Sequence, residues 1–155
     1  MGYGDPLAST ADLYDRSAID LLARMMYGEA RSESNTGRTA CMWIAKNRVA
    51  RNSSEFGGQY YQDVILYPDA FKGVWTDAAL RPDLSSTAWN ECLSIAQSYY
   101  SSSGNPIGTC LWFNTNELYN SVVNSLGQYN FGSGYVNVTE KYVIGNHTFF
   151  KVQGY

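Results

Sequence analysis

Ile19-Asp20-Leu21-Leu22-Ala23-Arg24-Met25-Met26-Tyr27-Gly28-Glu29-Ala30-Arg31 is the stretch whose reading decides the fold. Ile19, Leu22, Ala23 and Met26 recur at i, i+3, i+4 and i+7, the spacing of one helix face. Ser17 followed by Asp20 resembles a capping box, so the pattern predicts a helix from about Ser17 to Ala30. Glu29 falls about 20° from Leu22 on a helical wheel, so the apolar stripe leads into a carboxylate. A carboxyl held against apolar surface resists ionisation and its pKa rises, which suits a general acid near neutral pH. The competing reading is an ordinary surface glutamate, solvated or paired with Arg31, Arg24 or Arg38.

Outward from this stretch, Asn35 or Thr36 can cap a second helix that runs through Ala50. Its inner face would carry Ala40, Trp43, Ile44 and Asn47. The link from Arg31 to Asn35 is short, so the two helices should pack as an αα-hairpin with the Glu29 end near the turn. Asn52 to Gly58 is a loop by composition, and Asp63 to Leu66 a short helical turn or strand. Ala88, Cys92, Ile95, Ala96 and Tyr99 predict a third long helix over Ser86 to Tyr100. Beyond it the chain changes character. Thr109 to Phe113 is rich in strand formers, and Gly127 to Gly134 reads as a flexible connection. Tyr135 to Ile144 and His147 to Val152 read as a hairpin closed by Gly145-Asn146, a two-residue loop with glycine first. Helices first and a small antiparallel sheet near the C-terminus indicate an α+β domain. Residues 1–16 read as an irregular lead-in, and residues 17–155 as a single domain.

The composition narrows the function. The 155 residues carry a net charge of −3, which argues against electrostatic capture of nucleic acid. Charged residues make up 16% and aromatics 15%, with 13 tyrosines. Such a surface suits neutral partners such as sugars, because a tyrosine offers ring area and a hydroxyl together; equally, many of these rings could be half-buried. No stretch is long enough to span a bilayer. Met1 to Pro6 lacks the basic end and apolar run of a signal peptide, so the delivery route is left open. Cys41, Cys92 and Cys110 fit no zinc spacing. Cys92 and Cys110 could pair, but buried free thiols are the expected state.

Several chemistries are hard to build from these residues. A single histidine cannot supply the usual imidazoles of a zinc hydrolase, and no metal or other cofactor is expected. Gly132-Ser133-Gly134 has the wrong spacing for a nucleophile elbow, and phosphate loops are absent. A Cys41–His147 peptidase or amidase has the papain-like order, but Cys41 lies inside a helix rather than at its N-terminus, where the thiolate would be favoured. Glycoside cleavage needs only carboxyl groups. Glu33, Asp63, Asp69 and Glu117 are possible second carboxylates beside Glu29. A lytic transglycosylase needs none of them, because the substrate's own hydroxyl replaces water.

The words around Glu29 then carry a resemblance. Leu22-Ala23-Arg24 to Tyr27-Gly28-Glu29-Ala30-Arg31, followed by Gly37 and Ala45-Lys46-Asn47-Arg48-Val49, resembles the spore cortex-lytic cell-wall hydrolase family of SleB/CwlJ type. Val64-Ile65-Leu66-Tyr67-Pro68 with Phe71, the Gly108 to Asn114 segment, and Ile144-Gly145-Asn146-His147-Thr148-Phe149-Phe150 are similar to later motifs of that family, in the same order. The resemblance implies a lysozyme-like α+β domain that cleaves the glycan strands of peptidoglycan, as a lytic transglycosylase or a glucosaminidase-like enzyme. It implies that Glu29 is the catalytic residue and that His147 is the family histidine, orienting the hairpin or lining the groove; the competing and favoured reading of His147 is a structural histidine hydrogen-bonded to backbone. Tyr27, Trp112, Phe113 and Tyr142 are further candidates for the groove. Gly28 would let sugar or a facing loop approach the backbone, and Arg31 would support the helix turn. Ala70, Lys72 and Thr115 depart from the family's usual glutamine, serine and proline, which leaves cortex specificity open. Accessory spore or phage proteins are conceivable partners, and a non-catalytic glycan-binding or coat protein remains the alternative from another class.

Overall fold

A computed structural model describes residues 2–155. Helices α1 (Ala18–Ala30) and α2 (Asn35–Arg51) form the predicted hairpin. They are followed by α3 (Tyr61–Ile65), α4 (Asp77–Leu80), α5 (Thr87–Gln97) and the short α6 (Asn116–Val122). Strand β1 (Trp112–Thr115) precedes α6, and β2 (Tyr129–Asn130), β3 (Tyr135–Val136), β4 (Val138–Ile144) and β5 (His147–Val152) follow it. The main sheet is antiparallel in the order β1-β5-β4, and β2 pairs with β3 alone. Helices first and a small sheet last is the α+β order expected. Among the described residues no helix is long and apolar enough to cross a membrane.

Ser17 caps α1 by accepting from the Asp20 amide at 3.3 Å, but the reciprocal half of the box is not made. The Asp20 carboxylate is fully buried and accepts from Gly4 N at 2.7 Å, Arg16 Nε at 2.6 Å and Arg24 Nε at 2.8 Å. Arg24, equally buried, also donates to the carbonyls of Asp5, Ala79 and Leu80. This hub ties the first residues to α1 and α4. The lead-in is therefore not irregular as expected: Thr10–Asp15 is a 3₁₀ turn, and Leu7 and Leu13 belong to the main core. A weak cap signal and a buried ionic hub use the same Ser-x-x-Asp letters.

The other boundaries shift for local reasons. Ser34, ahead of the expected Asn35 or Thr36, caps α2 by accepting from Gly37 N at 3.1 Å. The helix ends on Asn52 in the left-handed region (φ 49°), a conformation asparagine tolerates. Helix α5 stops at Gln97 rather than Tyr100, because the Ser98 hydroxyl bonds the Ile95 carbonyl at 2.8 Å and competes with the helical ladder. The glycine-rich connection contains β2, its turn held by Asn130 Oδ1 accepting from Gly132 N and Gly134 N. Gly145 has φ +57° while Asn146 stays at negative φ, as a hairpin turn with glycine first requires. Thr115 is the N-cap of α6, accepting from Leu118 N.

The main core lies between α1, α2, α5 and the inner face of the sheet, with Phe149 on that face. A second cluster, Tyr119, Tyr129, Phe150 and Val152, fills the outer face under α6 and the β2–β3 hairpin. Phe149 and Phe150 serve different clusters because adjacent strand residues point to opposite faces. All three cysteines are buried and free. Burial pushes the thiols of Cys92 and Cys110 up to about 11 and about 12.

Candidate active site

Glu29 occupies the last turn of α1, at the end of a face whose Leu22, Ala23 and Met26 are fully buried. It is held by an unusual contact. A methyl group at Gly28 would overlap the Gly73 carbonyl, and one at Gly73 would meet Gly28 C at 2.6 Å and Glu29 N at 2.7 Å. The absence of both side chains lets the backbones touch. Across that contact the Gly73 amide donates to Glu29 Oε1 at 2.9 Å. Of the two readings offered for Gly28, close approach by a facing loop is the one the fold uses.

The carboxyl is half-buried, and burial raises its pKa above the ordinary value. The Gly73 amide, His147 and Lys72 oppose that rise without cancelling it. None of the arginines considered as partners neutralises Glu29. Arg24 is committed to Asp20. Arg31 donates to the Tyr27 carbonyl and lies over the Tyr27 ring, as a support of the helix end. Arg38 donates to the Arg31 carbonyl and Asn35.

Glu29 lines a cleft of about 320 Å³ together with Asp69, Lys72, Phe113, Asn114 and His147. Leu118 and Thr115, at the start of α6, and Ala70 complete the lining. Asp69 is in the left-handed region (φ 63°) at position three of a Tyr67–Ala70 turn, in which Ala70 N donates to the Tyr67 carbonyl at 3.1 Å. Glu33 holds the turn that leads into His147. Its carboxylate accepts from Asn146 N at 2.8 Å and Asn146 Nδ2 at 3.0 Å, which pins the β4–β5 turn to the α1–α2 link. His147 Nδ1 lies 3.3 Å from Glu33 Oε1, outside hydrogen-bond geometry.

Of the six residues singled out in the sequence, the structure brings Glu29, Phe113 and His147 together. Tyr27, Trp112 and Tyr142 lie elsewhere. Tyr27 is buried on another face of α1, edge-on to Trp89, and its hydroxyl accepts from Asp83 N. It stands two residues before Glu29, about 200° round the helix. Trp112 packs against Phe56, Phe131, Phe150 and Tyr155 on the outer face of the sheet. It neighbours Phe113, so the two cannot share a face. Tyr142 pairs across the sheet with Phe149, but two strands away from Phe113, and its hydroxyl donates to Glu140. Cys41 is fully buried inside α2, and burial pushes its thiol well above the usual value. No thiolate nucleophile is offered there. Sequence reasoning met Asn114 and Thr115 only through the family motifs, not as cleft residues, and passed over Leu118. The Thr-x-x-Leu start of α6 was the missed signal, since it places a helix directly after β1 and so against the cleft.

The sequence model of the cell wall hydrolase family matches residues 32–150. The chain belongs to this family. The matched span of this cell wall hydrolase begins just after Glu29 and includes the cleft residues from Asp69 to His147. Two solved structures are similar. One is the catalytic domain of the germination-specific lytic transglycosylase SleB from Bacillus anthracis, 23% identical with a TM-score of 0.56, covering 86% of this chain and 93% of that one. The other is the catalytic domain of the Bacillus cereus SleB protein, 22% identical with a TM-score of 0.55, covering 97% and 98%. At these identities the likeness bears on the fold, which is the lysozyme-like α+β fold of those domains. A comparison with curated protein sequences finds no match.

Proposed function

We propose that this cell wall hydrolase cleaves peptidoglycan glycan strands as a lytic transglycosylase, with Glu29 as its acid and base. The observation that carries the reading is a carboxyl held in the cleft by a backbone amide, with its pKa raised by burial. Protonated Glu29 gives its proton to the oxygen between N-acetylmuramic acid and N-acetylglucosamine as the bond from that oxygen to the muramic C1 breaks. The substrate's N-acetyl group stabilises the cationic centre. The muramic 6-hydroxyl then attacks C1, and its proton passes to the Glu29 carboxylate. The product is a 1,6-anhydro end, and the acid is restored. Phe113 supplies an apolar wall, and His147 borders the same space.

One observation favours a second reading. Asp69 faces the same cleft and could activate water instead, giving hydrolysis with reducing ends. Mass spectrometry of digested peptidoglycan separates the two. Anhydro-muramic ends support the transglycosylase, reducing ends support hydrolysis, and free stem peptides overturn both. Glu29→Gln should abolish product release while leaving binding to wall sacculi intact; undiminished turnover would remove Glu29 from its role.

A further inference from the structure

The cleft at Glu29 is small for a polymer. Its 320 Å³ is at the lower end of the range for small-molecule sites, about 300–1,000 Å³. A second concavity, of about 800 Å³, is lined in part by the residues that directly precede the cleft's Asp69 in the chain. The two are separated by one turn. Leu66, Tyr67 and Pro68 line the larger basin, and the next residues, Asp69 and Ala70, line the cleft. The turn is anchored on both sides. Its 70 end leads into Phe71 and Gly73, the latter bonded to Glu29, and Trp75 just beyond packs against Tyr14 of the basin.

The chemistry of the basin is that of a neutral, hydroxyl-rich ligand. Tyr14 and Tyr67 expose aromatic rings, 63% and 37% accessible. Asn52 and Gln62 bring amides and Ser54 a hydroxyl, while Asp63 is the one charged side chain along the wall. No cation lines it, so an anionic ligand has no counter-charge. Rings that meet the CH faces of a sugar, with amides for its hydroxyl and acetamido groups, need no charge at all. Gly58 has open space beside it, while Gly57 packs its backbone close against the Asp63 carbonyl and the Tyr67 ring.

We infer that the basin is a distal subsite for the same glycan strand, which crosses the Tyr67–Ala70 turn and seats further N-acetylated sugars against Tyr14 and Tyr67. This rests on the reading of the cleft as a glycan-cleaving site. It assigns the basin to strand length rather than to chemistry. The left-handed conformation of Asp69 then has a use: it turns the chain sharply enough for both concavities to share one wall.

The test uses the full chain carrying Glu29→Gln, titrated calorimetrically with chito-oligosaccharides of increasing length. Affinity should rise with length beyond what the cleft alone can hold. Adding Tyr14→Ala and Tyr67→Ala together should weaken the long oligomers about tenfold, ~1.4 kcal/mol, and leave the shortest unchanged. Gln62→Ala, which removes only an amide, gives a second probe with the same expected pattern if the double change unfolds the protein. Retention of the full length dependence overturns the inference and leaves the cleft reading standing. Equal weakening at every length also overturns it, because the turn would then only prop up the cleft. Selective loss of binding to free stem peptide would assign the basin to peptide and overturn it too. If the unmutated protein releases no glycan product from peptidoglycan, the cleft reading fails and the subsite fails with it.

Discussion

Gly28 and Gly73 meet backbone to backbone, and the Gly73 amide reaches Glu29 Oε1 at 2.9 Å across that contact. The distance between α1 and the 72–75 turn is therefore set by two missing side chains. The same distance sets the position of the candidate acid.

Gly28→Ala tests this directly. In an open helix the change would stabilise by about 1 kcal/mol. Here the new methyl would overlap the Gly73 carbonyl, and overpacking of that kind costs about 1–3 kcal/mol. The clash should win, lowering the thermal midpoint. Glycan cleavage should fall further than stability does, because separating the backbones lengthens the bond to Glu29. A variant with a raised midpoint and full activity would refute the contact.

Glu29 should also make stability depend on pH in a recognisable direction. Its folded pKa is raised above the unfolded value, so the folded state holds the proton more tightly. As pH rises from the ordinary carboxylate range through the folded pKa, ionisation takes stability away. Glu29→Gln should therefore be more stable than the unmutated protein at neutral pH, and that advantage should vanish in acid below the unfolded pKa. Denaturant titrations across pH measure it. The activity profile should lose its upper limb at a higher pH than an exposed carboxyl would give. Lys72→Gln should move that limb higher still, since the Lys72 charge pulls the Glu29 pKa down.

Glu33 holds the β4–β5 turn through two hydrogen bonds to Asn146. Hydrogen bonds to a charged acceptor are worth about 1.5–3 kcal/mol each, less where water can replace them. Asn146 is exposed, so Glu33→Ala should cost about 1–2 kcal/mol in chemical denaturation. Hydrogen exchange should rise at Asn146 and His147 before it rises in α1. Uniform exchange changes would show that the turn does not depend on this clasp.

The Asp20 hub is a harder support. Asp20 and Arg24 are both fully buried, and removing one member of such a pair costs about 3–5 kcal/mol. Asp20→Ala should bring the thermal midpoint down severely and expose Leu7 and Leu13 to proteolysis near the N-terminus. A mild effect would mean that the first residues are held by their apolar contacts alone.

The sequence spoke clearly where one physical rule decided the outcome. The α1 stripe is set by helical period, the Gly145 turn by positive φ, and the cap of α1 by a serine side chain. The position of Glu29 followed from the first of these. Tyr27 and Trp112 were misplaced although the information was present, because helical angle and strand alternation already put them away from Glu29 and Phe113. Tyr142 could not be placed this way, since its distance from the cleft depends on the order of strands in the sheet. Asp20 was hidden for a different reason. A cap and a buried hub use the same residue types, and only the arrival of Gly4, Arg16 and Arg24 tells them apart. The pairing of Gly28 with Gly73 was likewise out of reach, as it joins positions far apart in the chain.

The clamp on Glu29 is a main-chain donor, and this has an evolutionary side. Exchanges at Ala70, Lys72 or Thr115 can reshape what the cleft accepts, yet none of them deletes an amide proton at position 73. Substrate preference can thus drift across descendants while the seat of the candidate acid stays put. The one exchange that would strip the donor outright is proline at Gly73, so lineages that lose catalysis but keep the fold should tolerate proline there when active ones do not.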